Sequence, residues 1–331
     1  MMENDGFRYS YGPVPSRRLG KSLGINNIPA KACSYACVYC QVGPTTRMQT
    51  DRQFFYEPGE IFMDVWRRVN QARAASERID YLAFVPDGEP TLDARLGESI
   101  AALKSLGIPI AVITNSSLIW RDDVRAALAQ ADWVSLKVDA VQEKTWRRIN
   151  RPHKTLRLSA ILDGMCEFAE SFTGRLVTET MLVSGVNESE ESAEELAVFL
   201  NQLQPHTAYL SIPTRPPAEA WVRCPDEEIL NRTYQILSAA VNRVECLSGY
   251  EGNAFAFTDN VEQDLLSITA VHPMRKDAVS ALLLRAGAGW EVVNRLVSRG
   301  DLVQTQYREH LFYLRKFPQK NDADTWNPES A

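Results

Sequence analysis

Histidine and cysteine are both sparse in this chain, four and six among 331 residues. So few histidines leave no His-rich metal tract, and six cysteines over this length make no disulfide framework. No run of 18 apolar residues occurs, so no membrane-spanning helix and no membrane partner are expected. The opening residues, MMENDGFRYSYG, hold no basic stretch followed by an apolar run. No secretory signal is read there, and a reducing cytoplasm is the expected location. Excess positive charge is lacking too. A formal net charge of −6 at pH 7 argues against a protein that coats nucleic acid, though not against a local basic patch. What remains is ordinary globular composition, 45% hydrophobic and 24% charged, enough for one large domain and a small one.

Apolar or β-branched runs fall at 22–28, 80–85, 108–115, 133–138, 176–183 and 208–213. Amphipathic helical stretches lie between and after them, at 61–75, 96–107, 121–131, 155–171, 192–204 and 225–244. Six strands, each followed by a helix, predict a parallel sheet. Right-handed crossovers let such a sheet close in part, as a partial (β/α)6 barrel. Within 133–139 the alternation puts Ser135, Lys137 and Asp139 on one face and Val134, Leu136 and Val138 on the other. Glu179 likewise has parity opposite to Thr178 and Thr180. The apolar face belongs against helices, so the polar face must look into something other than a packed core. A ligand-filled lumen fits, and an edge strand with a solvated face is the alternative.

Three of the six cysteines fall in eight residues, CSYACVYC at 33–40, with spacing C-x₃-C-x₂-C. Structural zinc wants four protein ligands, which requires Cys166, Cys224 or Cys246 to fold back. A redox dithiol would use Cys37 and Cys40 and leave Cys33 unexplained. A [4Fe-4S] cluster on the three thiolates of Cys33, Cys37 and Cys40 leaves one iron open to a small molecule. The spacing, with Tyr39 before the third cysteine, resembles the signature of the radical S-adenosylmethionine (SAM) superfamily. That resemblance implies two cofactors, a [4Fe-4S] cluster and S-adenosyl-L-methionine, and an electron donor of flavodoxin or ferredoxin type.

A second stretch, PDGEPTL at 86–92, follows the second predicted strand directly. Gly88 lets backbone approach a ligand, Pro90 stiffens the turn, and Glu89 can accept from an ammonium. It resembles the superfamily's Gly-Gly-Glu-Pro turn, which binds the methionine amino group, with Asp87 in place of the first glycine. Ligands of parallel barrels bind at the strands' C-terminal mouth. The resemblance therefore implies cofactor contacts from polar residues there: Asn115 and Ser116 ending the third strand, Ser135, Lys137 and Asp139 on the fourth, Glu179 and Thr180 on the fifth. The lead-in YGPVPSRRLGKSLGIN, the cysteine loop, DGEPTL and SLKVDA together resemble the superfamily group related to 4-demethylwyosine synthase, over most of residues 9–260. The second cluster of that enzyme needs cysteines upstream of the motif, and none precedes Cys33 here. The wyosine reaction itself is therefore not implied.

Substrate contacts are read from two segments. WRRINRPHK (146–154) carries four basic residues and His153. Arg151 and His153 there suit an anionic group, with a solvated helix end as the alternative. SIPTRPPAEAWV (211–222) holds Arg215 and Trp221 in a proline-stiffened loop that either walls the substrate pocket or is a rigid connection. Arg17 and Arg18 have no role legible from sequence. YEGNAFAF (250–257) either closes the barrel's last side or carries the chain onward.

From 261 the strand-helix rhythm stops. Three short helices and a hairpin turning at Arg308-Glu309 resemble a winged helix over 261–317. Eight basic residues against six acids in that stretch give it a weak positive bias, fit for RNA or a peptide. Residues 318–331 read as a disordered tail. The reading is an enzyme that cleaves SAM reductively to a 5′-deoxyadenosyl radical, acting on tRNA or a nucleotide, or alternatively on a peptide or protein. The reading from another class is a redox- or metal-sensing winged-helix regulator. Such a sensor needs neither the turn at 86–92 nor a polar lumen.

Overall fold

The computed structural model describes residues 8–247, 255 and 260–316. β1 (Ser10–Ser16) turns back into β2 (Gly20–Ile25), and the two pair antiparallel. The chain then runs through the cysteine loop, whose base is the two-residue pairing of β3 (Ala32–Cys33) with β4 (Arg47–Met48). Beyond it helices and strands alternate. α1 (Pro58–Ala74) leads to β5 (Tyr81–Phe84), α2 (Leu96–Leu103) to β6 (Ile110–Thr114), and α3 (Asp122–Leu128) to β7 (Trp133–Lys137). α4 (Glu143–Asn150) and α5 (Leu158–Ser171) lead to β8 (Arg175–Met181), α6 (Glu190–Leu203) to β9 (Thr207–Ser211), and α7 (Glu227–Ala240) to β10 (Val244–Leu247).

One sheet results, in the order β1-β2-β5-β6-β7-β8-β9-β10. Its strands from β2 onward all pair in parallel. The six strands expected from sequence are β2 and β5 to β9; β1 and β10 add one strand at each edge. The α/β class and the mostly parallel sheet agree with the sequence reading.

Strand parity divides the sheet as the sequence predicts. Leu82, Phe84, Ile110, Val112, Val134, Leu136 and Leu210 point outward into the main core beneath the helices, with Ile61, Val65, Ile161 and Phe168 among their partners. Burial of each such side chain contributes roughly 1.5–3 kcal/mol. On the other face an apolar layer of Ala83, Ala111, Trp133, Val177, Tyr209 and Leu247 fills the lower part. One pleat further along the strands this face turns polar, at Ser135, Lys137 and Glu179. The inner face therefore has an apolar floor and a polar mouth.

The C-terminal segment comprises α8 (Val261–Val271), β11 (Met274–Arg275), α9 (Lys276–Arg285), α10 (Glu291–Arg299), β12 (Leu302–Tyr307) and β13 (His310–Arg315). The three strands form their own antiparallel sheet, in the order β11-β13-β12. The segment does not build its core alone. Leu265, Ile268, Val279, Leu282 and Leu296 share one buried cluster with Tyr11 and Val14 of β1. Arg68 of α1 reaches Asp264 of α8 at 3.2 Å, both buried. The stretch 250–257, apart from Phe255, and the tail 318–331 lie outside the described residues.

Candidate active site

A cavity of about 330 Å³ opens on the polar inner face. Cys33, Cys37 and Cys40 line it together with Tyr39, Asp87, Gly88, Glu89, Asn115, Ser135, Lys137 and Glu179. Five segments remote in sequence thus converge where the parity argument places a lumen. Pro90 and Asp139 are not among the lining residues. Pro90 starts a short 3-10 turn, Pro90–Leu92, and is buried behind the cavity wall. Asp139 is buried behind Tyr39 and accepts from its hydroxyl.

The turn at 86–92 is fastened to the cysteine loop. Lys31 N donates to Asp87 O at 2.7 Å and Glu89 N to Ala32 O at 3.0 Å. A Cβ on Gly88, whose φ is +154°, would sit 2.1 Å from Ala32 O, so no larger residue fits this approach. Asp87, the departure from the superfamily pattern, meets Lys31 Nζ at 2.9 Å. Burial pushes the Asp87 carboxyl up to about 6, opposed by the Lys31 ammonium.

Glu89 is buried, and protein donors surround its carboxylate. Oε1 accepts from Thr91 N (3.0 Å), Thr91 Oγ1 (2.6 Å) and Thr114 Oγ1 (2.6 Å), and Oε2 from Asn115 N at 2.7 Å. A carboxylate has about four lone-pair sites. Oε1 is therefore filled, while Oε2, with one donor among the described residues, retains capacity toward the cavity. Burial raises the Glu89 pKa and these donors oppose the rise.

On β7 and β8, Lys137 Nζ lies 3.1 Å from Glu179 Oε1 and 3.5 Å from Asp139 Oδ1, and 5.0 Å from the centre of the Tyr39 ring. Burial lowers its pKa, with Asp139 opposing. The thiols of Cys33, Cys37 and Cys40 are all raised by burial, Cys37 to about 12. Left to themselves they stay protonated at neutral pH, and a metal must displace the protons to bind. Among the described residues no three His, Cys, Asp or Glu side chains converge on one mononuclear ion. A four-iron cluster makes a different demand, one thiolate on each of three irons. Three soft donors around one partly polar cavity fit that demand.

For Arg151 in the segment 146–154, the alternative reading of a solvated helix end agrees with the structure. Neither Arg151 nor His153 lines the cavity. Arg151 is exposed and pairs with Glu219. His153 N donates to Ser34 O at 2.9 Å, and its ring meets Thr155 Oγ1 at 2.8 Å. The segment instead docks the cysteine loop. The final carbonyls of a helix have no partner within it. At the end of α4, Ile149 O accepts from Val38 N at 2.9 Å and Asn150 O from Ala36 N at 3.1 Å. Trp146 Nε1 donates to Tyr35 Oη at 3.1 Å, and Tyr35 pairs with Pro152 in an isolated bridge. Of the three proposed substrate contacts only Arg215 lines the cavity. It donates to Gln41 Oε1 at 2.8 Å and meets His272 Nε2 at 2.9 Å.

Among the lining residues without a role legible in the sequence are three charged or titratable ones, Arg17, Arg18 and His272. Arg18 pairs with Glu179, Arg17 donates to Leu247 O, and His272 enters from the C-terminal segment. Burial lowers the His272 pKa well below its usual value, reinforced by Arg215 and Arg17. A guanidinium only donates, so Nε2 is the acceptor and Nδ1 carries the hydrogen of a neutral ring. A single histidine after an apolar helix carries no signal that would have found it.

The family model of the radical SAM superfamily matches residues 27–197, the span from just after β2 into α6. A UPF0026 protein of Methanocaldococcus jannaschii is 46% identical over 321 residues, covering 96% of this chain and 99% of that one. Among solved structures, a radical SAM methyltransferase from Sphaerobacter thermophilus is similar with a TM-score of 0.51 at 20% identity, over 69% of this chain and 66% of that one. TYW1 with a lysine-pyruvate adduct bound is similar with a TM-score of 0.52 at 17% identity, over 66% and 74%. At these identities the structural likenesses bear on the fold alone.

Proposed function

The chain belongs to the radical SAM superfamily, whose members are enzymes that use a [4Fe-4S] cluster and SAM, and we propose that Cys33, Cys37 and Cys40 hold that cluster. The observation that carries this reading is the meeting of all three thiols with the 86–92 turn and the ends of β6, β7 and β8 in one cavity. When bound there, the cluster and SAM together supply a 5′-deoxyadenosyl radical for hydrogen abstraction.

The chain's own residues do the remaining work. Glu89 Oε2 accepts the methionine ammonium, held in place by the donors on Oε1. Asn115, Ser135, Lys137 and Glu179 contact the ribose and carboxylate. Arg17, Arg215 and His272 border the substrate's side of the cavity, and the apolar floor keeps water from the reacting atoms. The electron comes from a flavodoxin- or ferredoxin-type donor.

We read the substrate as tRNA or a nucleotide. Support comes from the donors at the mouth, Arg17 and Arg215, which suit an anionic group. The helices α8 to α10 with the β11-β13-β12 sheet serve in this reading as a winged-helix-like unit that recognises the substrate. Its surface charge is not the support. Arg275, Arg295 and Arg299 are each paired with a carboxylate of the segment itself.

The test is anaerobic reconstitution followed by addition of dithionite and SAM. About four irons per chain and release of 5′-deoxyadenosine are expected. A chain that binds no iron would end the assignment of the cysteines. For the substrate, RNA crosslinked to or copurified with the anaerobic protein is expected, and a modified peptide in its place would favour the protein-modifying alternative.

A further inference from the structure

Two asparagine amides point at the cysteine sulfurs. Asn150 Nδ2 lies 3.4 Å from Cys37 Sγ, and Asn115 Nδ2 lies 3.4 Å from Cys33 Sγ. Both are within the range for hydrogen bonds to sulfur, which are longer than those to oxygen. Neither residue is a candidate metal ligand, and Asn150 comes from a helix end that does not line the cavity.

The chemistry of their neighbours sets which way each amide faces, which the shape of an amide alone does not. Asn150 Nδ2 is 2.7 Å from Asp139 Oδ2. An ionised carboxylate only accepts, so the NH₂ end of Asn150 must face Asp139. One of its two hydrogens is used there, and the other is left for Cys37 Sγ and the Tyr39 hydroxyl, itself 3.4 Å away. Asp139 is fixed in turn by Met181 N at 2.8 Å. For Asn115 the other end decides. Its Oδ1 accepts from Ser117 N at 2.9 Å, which turns the NH₂ toward Cys33 and toward Ser34 Oγ at 3.0 Å.

We propose that Asn150 and Asn115 are positioning residues that set the reduction potential of the cluster through N–H···S hydrogen bonds to Cys37 and Cys33. The proposal rests on the cluster assignment above. Reduction adds negative charge that spreads onto the sulfurs. A donor aimed at a sulfur stabilises the reduced state more than the oxidised one and raises the potential. Asp139 acts on both sides of this balance. Its charge opposes reduction, and the ammonium of Lys137 at 3.5 Å offsets it. Its acceptor holds the Asn150 amide in the donating orientation.

The experiment is an EPR-monitored redox titration of the reconstituted full-length protein. Asn150→Leu keeps the side chain's branched skeleton, with two bulkier methyl groups, and removes both donors. Its reduction equilibrium constant should fall about tenfold, which for a one-electron couple is about 59 mV more negative. Asn115→Leu should shift the same way. A variant that keeps its iron and stays within twofold of the parent overturns the proposal. If the substitutions cost the protein its iron, the parent itself gives the answer. With ¹⁵N in its asparagine side chains, pulsed EPR of the reduced cluster should show ¹⁵N coupling, and no coupling overturns the proposal. Iron and sulfide analysis separates the two levels. A parent without a four-iron cluster fails the assignment of the cysteines, whereas a clustered parent with unshifted variants fails this inference alone.

Discussion

Glu89→Gln is nearly isosteric, yet the structure predicts that it damages both the fold and the cofactor site. The carboxylate takes a backbone N–H on each oxygen, Thr91 N on Oε1 and Asn115 N on Oε2. A glutamine has one oxygen and one NH₂. Whichever way its amide turns, one of those N–H groups meets another donor. The two threonine hydroxyls on Oε1 can rotate, but the backbone groups cannot. A buried donor left unsatisfied costs about 1–3 kcal/mol. The charge on the remaining bonds is lost as well, so the total should be about 2–4 kcal/mol. The assay is urea denaturation of the iron-free protein under reductant, compared at constant slope. In reconstituted protein, loss of the charged contact to the SAM ammonium should weaken binding by about tenfold to a hundredfold, read by calorimetry with the iron content checked. A Gln variant within 0.5 kcal/mol of the parent by the same measure would show that Glu89 is not held as described. Unchanged SAM affinity with iron retained would remove the 86–92 turn from the cofactor site.

Three further outcomes are expected. Cys37→Ala, reconstituted anaerobically, should lose most of its iron, and full iron and sulfide content would contradict its role as a ligand. Truncation after Asn260 should give an aggregating protein, because Tyr11 and Val14 lose the buried partners they share with α8 to α10; a soluble monomer by size exclusion that still cleaves SAM would refute the shared core. Burial pushes the Asp93 carboxyl up to about 6, so the native state holds its proton more tightly than the unfolded chain. The group's stabilising contribution is then full below about pH 3.9 and is lost as pH rises to about 6. Asp93→Asn should reduce the fall in stability across that window by up to about 3 kcal/mol, and identical slopes of urea stability against pH in the two proteins would refute it.

The parallel core of this fold is legible because period-two alternation and helical amphipathicity are strong signals, and both faces of β7 follow from WVSLK alone. β1 is not legible. SYGPVPS carries Pro13 and Pro15, which cannot donate to a ladder, and reads as coil. As an edge strand it tolerates them. β10 is four residues long and follows a helix without a turn signal. The cysteine loop and the 86–92 turn stand out because their chemistry is local in sequence. The docking of that loop on α4 is not local. WRRIN shows charges, whereas the bonds that matter come from its main-chain carbonyls, which every sequence has. Arg151 and His153 add charge-bearing side chains beside WRRIN, and they flank a backbone-mediated contact.

The seating of Tyr11 and Val14 among residues of α8 to α10 has a bearing on synthesis. The ribosome delivers β1 well before α8 to α10, so β1 waits with one side uncovered while the sheet between them folds. His272 arrives in the same late stretch. Until then the wall it forms beside Arg215 is missing, and the three thiols face a wider opening than in the finished protein. Iron and sulfide delivered during that interval would meet three thiols whose loop is already docked on α4, in a site not yet closed. On the proposed assignment of the cysteines, the order of elements along the chain would leave a window for metallation before that wall is in place.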